Sequence, residues 1–230
     1  MVAGTGACGH RMRGVMDWNE LADLPFADAL RPHDADLAPA ESYDGAHFDQ
    51  LDLDGPDASG SGFLECAFTR VSVQNGRLRR TQFTDVWLRD VRLISTTLAE
   101  TTWVNSAVIG SMAAGVEAFG ARLRHVVLRD CKLDSVNFRD AVLVDVTFDN
   151  CVLRDVDFAG ATLTRTAFPN CRLTTTSFTR VTLDQADLRG AELGITVDPL
   201  SLRGAIVTPA QLADIAPLLA ESIGLIVADD

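Results

Sequence analysis

The chain has 230 residues, 47% of them hydrophobic, with a formal net charge of −12 and five cysteines. That length supports one sizeable core in one domain, and the acidity disfavours free nucleic acid as a partner while favouring a basic or DNA-binding protein. No stretch approaches the ~18 consecutive apolar residues of a membrane span, no basic region followed by an apolar run reads as a secretory signal, and an odd cysteine count fits a reducing cytoplasm better than a disulfide framework.

In chain order, residues 1–15 are rich in Gly and Ala and read as a disordered leader, with Met16 an alternative start. Cys8 and His10 are two metal-ligand types in that leader, too few for a site. Residues 16–45 are expected to cap the domain. Asp17-Trp18-Asn19-Glu20 has capping-box form with Asp17 as N-cap. A short helix carrying Trp18, Leu21 and Leu24 should follow and stop near Pro25, with Phe26 and Leu30 packing over what comes next.

From Ala46 the sequence divides every five residues without a slip, through AHFDQ, LDLDG, CAFTR, CVLRD, ATLTR, ADLRG and AELGI, to Ile195. The central residue is Leu or Phe in 24 of the 30 units, and the residue two before it is small or β-branched in 27. None of the 35 charged side chains in residues 46–195 occupies either position, a strict in/out pattern. A charge buried without a partner costs several kcal/mol, which explains the exclusion. A helix would smear a five-residue period around its surface, and a flat strand would alternate it between faces. The chain must therefore turn once per unit. Four turns of about 90° close a square coil of twenty residues, stacked on the next at roughly 4.8 Å.

Stacked outward residues i and i+20 should then pair opposite charges. Seven such pairs occur: Asp57–Arg77, Arg70–Asp90, Arg80–Glu100, Arg129–Asp149, Asp134–Arg154, Asp145–Arg165 and Arg172–Glu192; one like pair opposes them, Glu65–Asp85. Lags of fifteen and twenty-five give poorer contrast, so four sides are favoured. From Phe138 to Leu183 the centres alternate Phe and Leu, which places Phe on two opposite faces of the bore. Residues 106–120 depart from the pattern, with Val108, Ala113 and Ala118 as centres and Gly110, Gly115 and Gly120 ending the units. A thin, distorted coil is expected there.

Residues 196–230 read as a C-terminal helical cap. Thr208-Pro209-Ala210-Gln211 is a helix start with Thr as N-cap. Leu212, Ile215, Leu219 and Ile223 form an apolar stripe. Pro217 should kink or split the helix, Gly224 should end it, and Leu225-Ile226-Val227 is a candidate last strand.

Units such as ADLRG (186–190), CVLRD (151–155) and ATLTR (161–165) resemble the A(D/N)LXX motif of the pentapeptide-repeat family over all of residues 46–195. The resemblance implies an all-β solenoid, a right-handed quadrilateral β-helix of about 7–8 coils, with a short N-terminal cap and a helical C-terminal cap. It implies no single function. The best-understood branch comprises bacterial proteins that bind DNA gyrase, imitate duplex DNA by shape and negative charge, and confer fluoroquinolone resistance; mycobacterial members dimerise through their C-terminal ends.

Two readings follow from this likeness. In one the chain is a non-catalytic, cytoplasmic, protein-binding solenoid that modulates a topoisomerase; in the other it is a structural or scaffolding protein whose partner is unrelated to DNA. Residues 61–195 hold fifteen acids and sixteen bases, so the rod is close to neutral and the net charge lies at the ends. A rod of roughly 36 Å would have to match about twenty DNA phosphates, and no face shows that acid excess. The candidate partner contacts are therefore the outward acids of the first coil, Asp49, Asp52, Asp54 and Asp57, with outward apolar residues Ile109, Met112 and Phe119. Leu212, Ile215, Leu219 and Ile223 are the candidate homodimer interface. No catalytic, cofactor-binding or metal residues are assigned, and neither direct nucleic-acid binding nor a membrane is expected. Cys131, Cys151 and Cys171, spaced by twenty, read as inward apolar side chains. His125 under Asp145 reads as a surface contact, and Arg77, Arg79 and Arg80 as partners of Asp57 and Glu100.

Overall fold

The computed structural model describes residues 18–198 and 200–226, and its chain winds into a parallel β-solenoid of about 8 turns closed by one α-helix. The predicted leader, Cys8, His10, Asp17 and Val227 lie outside the described residues. Strand pairing follows the twenty-residue register almost everywhere, for example Leu93↔Ala113↔Leu133↔Leu153. Four inward columns result. They start at Tyr43, Phe48, Leu53 and Ala58, and their faces are named by those residues below. The Tyr43 and Phe48 faces form one continuous 12-stranded sheet, because strands such as Thr102–Ile109 and Val142–Asp149 run round the corner between them. The Leu53 face is an 8-stranded sheet. The Ala58 face pairs through isolated bridges from Asp57 to Ser177.

The corner is made at the fifth residue of each unit. Every fifth residue from Ala40 to Gly190 has positive φ, between 48° and 83°. This left-handed conformation turns the chain while leaving the two inward residues on the bore. Gly, Asn and Asp hold most of these corners because they tolerate it best.

Inside, the alternating centres form aromatic stacks. Phe138, Phe158 and Phe178 line the Ala58 face at 5.4 Å centroid spacings, and Phe148 and Phe168 stack at 5.0 Å opposite them. The two stacks meet edge to face across the bore at 6.3 Å. In the first half the stacks are Tyr43–Phe63–Phe83–Trp103 and Phe48–Phe68, on adjacent faces. Residues 106–120 are not distorted: Met112–Ala114 pairs in register on both sides, and Glu117 bridges Thr97 and Asn137. Backbone hydrogen bonds hold the path even where the side chains are small, so the thin coil differs only in its filling.

Both ends deviate from the sequence expectation. The ladder begins at Arg31–Pro32, which pairs with Ala46-His47 at a lag of fifteen, one unit short of a full coil. His33, Leu37 and Tyr43 plug the open bore, with the His33 ring against Tyr43 and Phe48. Residues 18–30 lie along the outside of the Phe48 face instead of over the first coil. They form two short 3₁₀ turns, Leu21–Asp23 and Ala27–Ala29, in place of an α-helix, with Glu20 capping the first. Leu24 and Phe26 form a separate outer core with Ala67, Trp87 and Ala107, against which Trp18, Leu21, Leu30 and Ile109 pack. At the far end Thr208 and Gln211 make the expected reciprocal cap, and the helix Pro209–Ser222 runs through Pro217 as one element. Gln211 also donates to the carbonyls of Leu188 and Ala191, tying the helix to the last coil. Leu225 and Ile226 are not in a strand. The final strand is instead Ala205–Ile206, paired with Ala186-Asp187.

Candidate protein-binding surface

The outward side chains decide what this rod can meet. Six of the seven anticipated i/i+20 ion pairs form: Arg77–Asp57 (3.1 Å), Arg80–Glu100 (2.8 Å), Arg129–Asp149 (3.4 Å), Arg154–Asp134, Arg165–Asp145 (2.7 Å) and Arg172–Glu192 (2.6 Å). The seventh does not. Arg70 turns to Asp49, at 2.7 Å, instead of Asp90. Arg79 likewise takes Glu100, at 3.0 Å, so the three arginines at 77–80 pair with Asp57 and Glu100 as expected. The Arg165 guanidinium holds the Asp145 carboxyl below its usual range, and Arg154 does the same to Asp134. His125 approaches Asp145 at 3.4 Å, but Arg165 already occupies both carboxylate oxygens, so the pair is poorly placed for proton transfer.

The four acids of the first coil therefore divide. Asp49 is bound by Arg70 and Asp57 by Arg77, with Ser59 the larger cause of the depressed Asp57 pKa. Asp52 and Asp54 are exposed and form no ion pair among the described residues, although Asn75 donates to Asp54 at 2.9 Å. The apolar candidates are not brought together. Ile109 lies against the 18–30 segment, Met112 sits on the Leu53 face, and Phe119, on the Ala58 face, has the Arg79 guanidinium over its ring at 5.8 Å.

A different set emerges on the Tyr43 face. Glu41, Asp44, Glu65 and Asp85 occupy its first three rungs, with no Lys or Arg on that face from residue 41 to 105. None of these four forms an ion pair among the described residues. The one like-charge pair at lag twenty, Glu65–Asp85, was the sequence signal for this patch. Like charges stacked at strand spacing repel, so this end of the face carries a net negative field.

The buried thiols are structural. Cys66, Cys131, Cys151 and Cys171 are free and buried, and each donates to a backbone carbonyl of a neighbouring coil. Burial pushes the Cys66 thiol up to about 11. Among the described residues, no group of three or more His, Cys, Asp or Glu is placed to hold a metal ion, and no helix is long and apolar enough to cross a membrane.

At the C-terminal end, Leu212 (50% exposed), Ile223 (63%), Leu225 and Ile226 are open to solvent, whereas Ile215 is buried and Leu219 partly so. Of the predicted apolar stripe, one residue is thus consumed within the chain.

The twenty-residue register, left-handed corners and square aromatic bore together define the fold class: the chain has the fold of a pentapeptide-repeat β-helix. Residues 115–178 match the family model described as a pentapeptide repeat region. Among solved structures the chain is similar to QnrB1, a plasmid-mediated fluoroquinolone resistance protein, at 21% identity over 86% of this chain and 95% of that one, with a TM-score of 0.40. It is also similar to HetL, a pentapeptide repeat protein involved in heterocyst differentiation regulation from the cyanobacterium Nostoc sp. strain PCC 7120, at 16% identity over 74% and 90% of the two chains, TM-score 0.25. A third is a pentapeptide repeat protein from the Arabidopsis thaliana thylakoid lumen, at 22% identity over 58% and 69%, TM-score 0.27. No curated protein matches the sequence significantly.

Proposed function

We propose that this chain is a non-catalytic protein-binding solenoid whose acidic N-terminal coils engage the basic DNA-binding surface of a topoisomerase such as DNA gyrase. The observation that supports this most is the carboxylate patch of Glu41, Asp44, Glu65 and Asp85 on the Tyr43 face, which forms no ion pair among the described residues. Six acid–base pairs at lag twenty tie charges together elsewhere on the rod, whereas these four carboxylates are left for a cationic partner. A homodimer through the exposed helix residues Leu212 and Ile223, with Leu219 at its margin, would present two such ends. The alternative, a scaffold with a partner unrelated to DNA, is favoured by the balance of fifteen acids and sixteen bases over residues 61–195.

A gyrase supercoiling assay at two salt concentrations separates the readings. Three chains are compared: the natural sequence, a variant with Glu41, Asp44, Glu65 and Asp85 changed to Gln or Asn, and one with Asp49, Asp52, Asp54 and Asp57 changed to Asn. Inhibition that fades with salt and is lost mainly in the first variant is the expected result. Loss mainly in the second moves the contact to the first-coil aspartates. No inhibition by the natural chain at tens of micromolar would sink the topoisomerase reading and leave the scaffold in front.

A further inference from the structure

The irregular coil holds a feature that surface binding does not use. Its four centres are Trp103, Val108, Ala113 and Ala118, between a coil of Phe83, Leu88, Leu93 and Leu98 and one of Leu123, Leu128, Leu133 and Phe138. Two large side chains are thus missing at Ala113 and Ala118, and one larger ring is present at Trp103. The indole cannot swing across to compensate. It stacks on Phe83 at 3.9 Å, and its Nε1 donates to Thr101 Oγ1 at 3.1 Å. A cavity of about 80 Å³ remains in the bore, lined by Leu93, Leu98, Trp103, Ala113, Leu133 and Phe138 among others. It lies where the Phe63–Phe83–Trp103 stack ends and the Phe138–Phe158–Phe178 stack begins. Leu93, Val108 and Ala113 point inward yet are only partly buried, which fits surface opening onto this internal space.

The cavity offers nothing to water. A buried water needs two to four polar partners. The hydroxyls at the lining are already engaged: Thr101 Oγ1 donates to the Leu98 carbonyl at 2.8 Å, and Ser111 Oγ donates to the Ile109 carbonyl at 2.9 Å while accepting from the Val91 amide at 3.0 Å. Apolar cavities of about 150 Å³ stay dry and take benzene or xenon. This one is roughly half that size, too small for a six-membered ring. We propose that the bore at Ala113 and Ala118 is a binding site for one small apolar molecule, of the size of a xenon atom, a dihalomethane or a short hydrocarbon. Occupancy restores the contacts that the two alanines omit and ties the first half of the rod to the second.

Xenon is the probe. The full chain is titrated with xenon under pressure, read by ¹²⁹Xe chemical shift and by thermal unfolding, beside Ala113→Leu and Ala118→Val. The natural chain should show a saturable ¹²⁹Xe shift and a rise in Tm. The filling variants should lose both, and Ala113→Leu should itself melt higher, by on the order of 5 °C. If Ala113→Leu does not fold, Ala118→Val carries the comparison. No saturable response in the natural chain, or the same response in a folded filling variant, overturns the proposal.

Discussion

At the scale of the residue, the fold depends on one unusual torsion repeated at every corner. A left-handed corner is easy for Gly and tolerable for Asn and Asp, but it strains a β-branched residue. Thr175 is such a case, at φ 51°. It also sits where pairing with the following coil slips by one residue, between Thr174 and Thr176. Thr175→Asn should relieve that strain and raise unfolding stability by about 1 kcal/mol. Urea unfolding reads it as a higher midpoint at unchanged slope. A lower midpoint would mean that the threonine makes a contact worth more than its torsional cost.

At the scale of the element, the informative segment is residues 18–30. By the five-residue rule position 87 faces solvent, yet Trp87 is only 1% exposed. Its indole N–H donates to the Trp18 carbonyl at 3.0 Å, while Arg89 reaches the Asn19 carbonyl at 2.6 Å and the Glu20 carboxylate at 2.7 Å. Arg129, a further two coils along, bonds the Asn19 side chain. The segment is thus a strap across several coils, and Trp87 is its anchor. Trp87→Ala should cost about 3 kcal/mol, as for a buried core aromatic, whereas Arg92→Ala, on the neighbouring Leu53 face, should stay within about 0.5 kcal/mol. Equal, small effects in thermal unfolding would show that the strap adds no stability. The apolar residues of the strap were visible in the sequence, but their destination was not. A solenoid offers four flanks and two ends, and only the placement of Trp87 between the small residues Ala67 and Ala107 distinguishes one flank from the rest.

At the scale of the molecule, the rod is a stack of coils with ion pairs that mostly link one rung to the next, Arg189–Asp187 lying within a rung. Arg77, Arg79, Arg80, Arg154, Arg165, Arg172 and Arg189 hold Asp57, Glu100, Asp134, Asp145, Glu192 and Asp187 below the usual carboxylate range, with Ser59 contributing most at Asp57. A carboxylate whose folded pKa is depressed contributes stability that is complete above its unfolded pKa and is lost as the pH falls through the folded value. Tm should therefore be flat with respect to these groups above about pH 5 and decline below about pH 4. The exposed pairs are screened by salt, so added sodium chloride should flatten the acid limb. An acid limb insensitive to salt would assign the loss to other groups.

What the sequence determined by itself was chiefly the periodic part, namely the five-residue unit, the twenty-residue register tested by charge and the inward Phe and Leu columns, together with the Thr208 cap. A period is legible because one rule, charges out and small or apolar side chains in, is repeated in thirty units, and each unit samples the same environment. Tertiary structure decided what is not periodic. It decided that Arg70 takes Asp49, since two carboxylates lie within reach and side-chain geometry selects between them. It laid the strap on a flank and buried Ile215, leaving Leu212 exposed on the same helix. It left Glu41, Asp44, Glu65 and Asp85 together with no ion pair among the described residues, and it kept the coil at Ala113 in register around a void. Each of these depends on which surfaces meet across many residues, where packing and pair electrostatics choose among arrangements that the same five-residue rule allows equally.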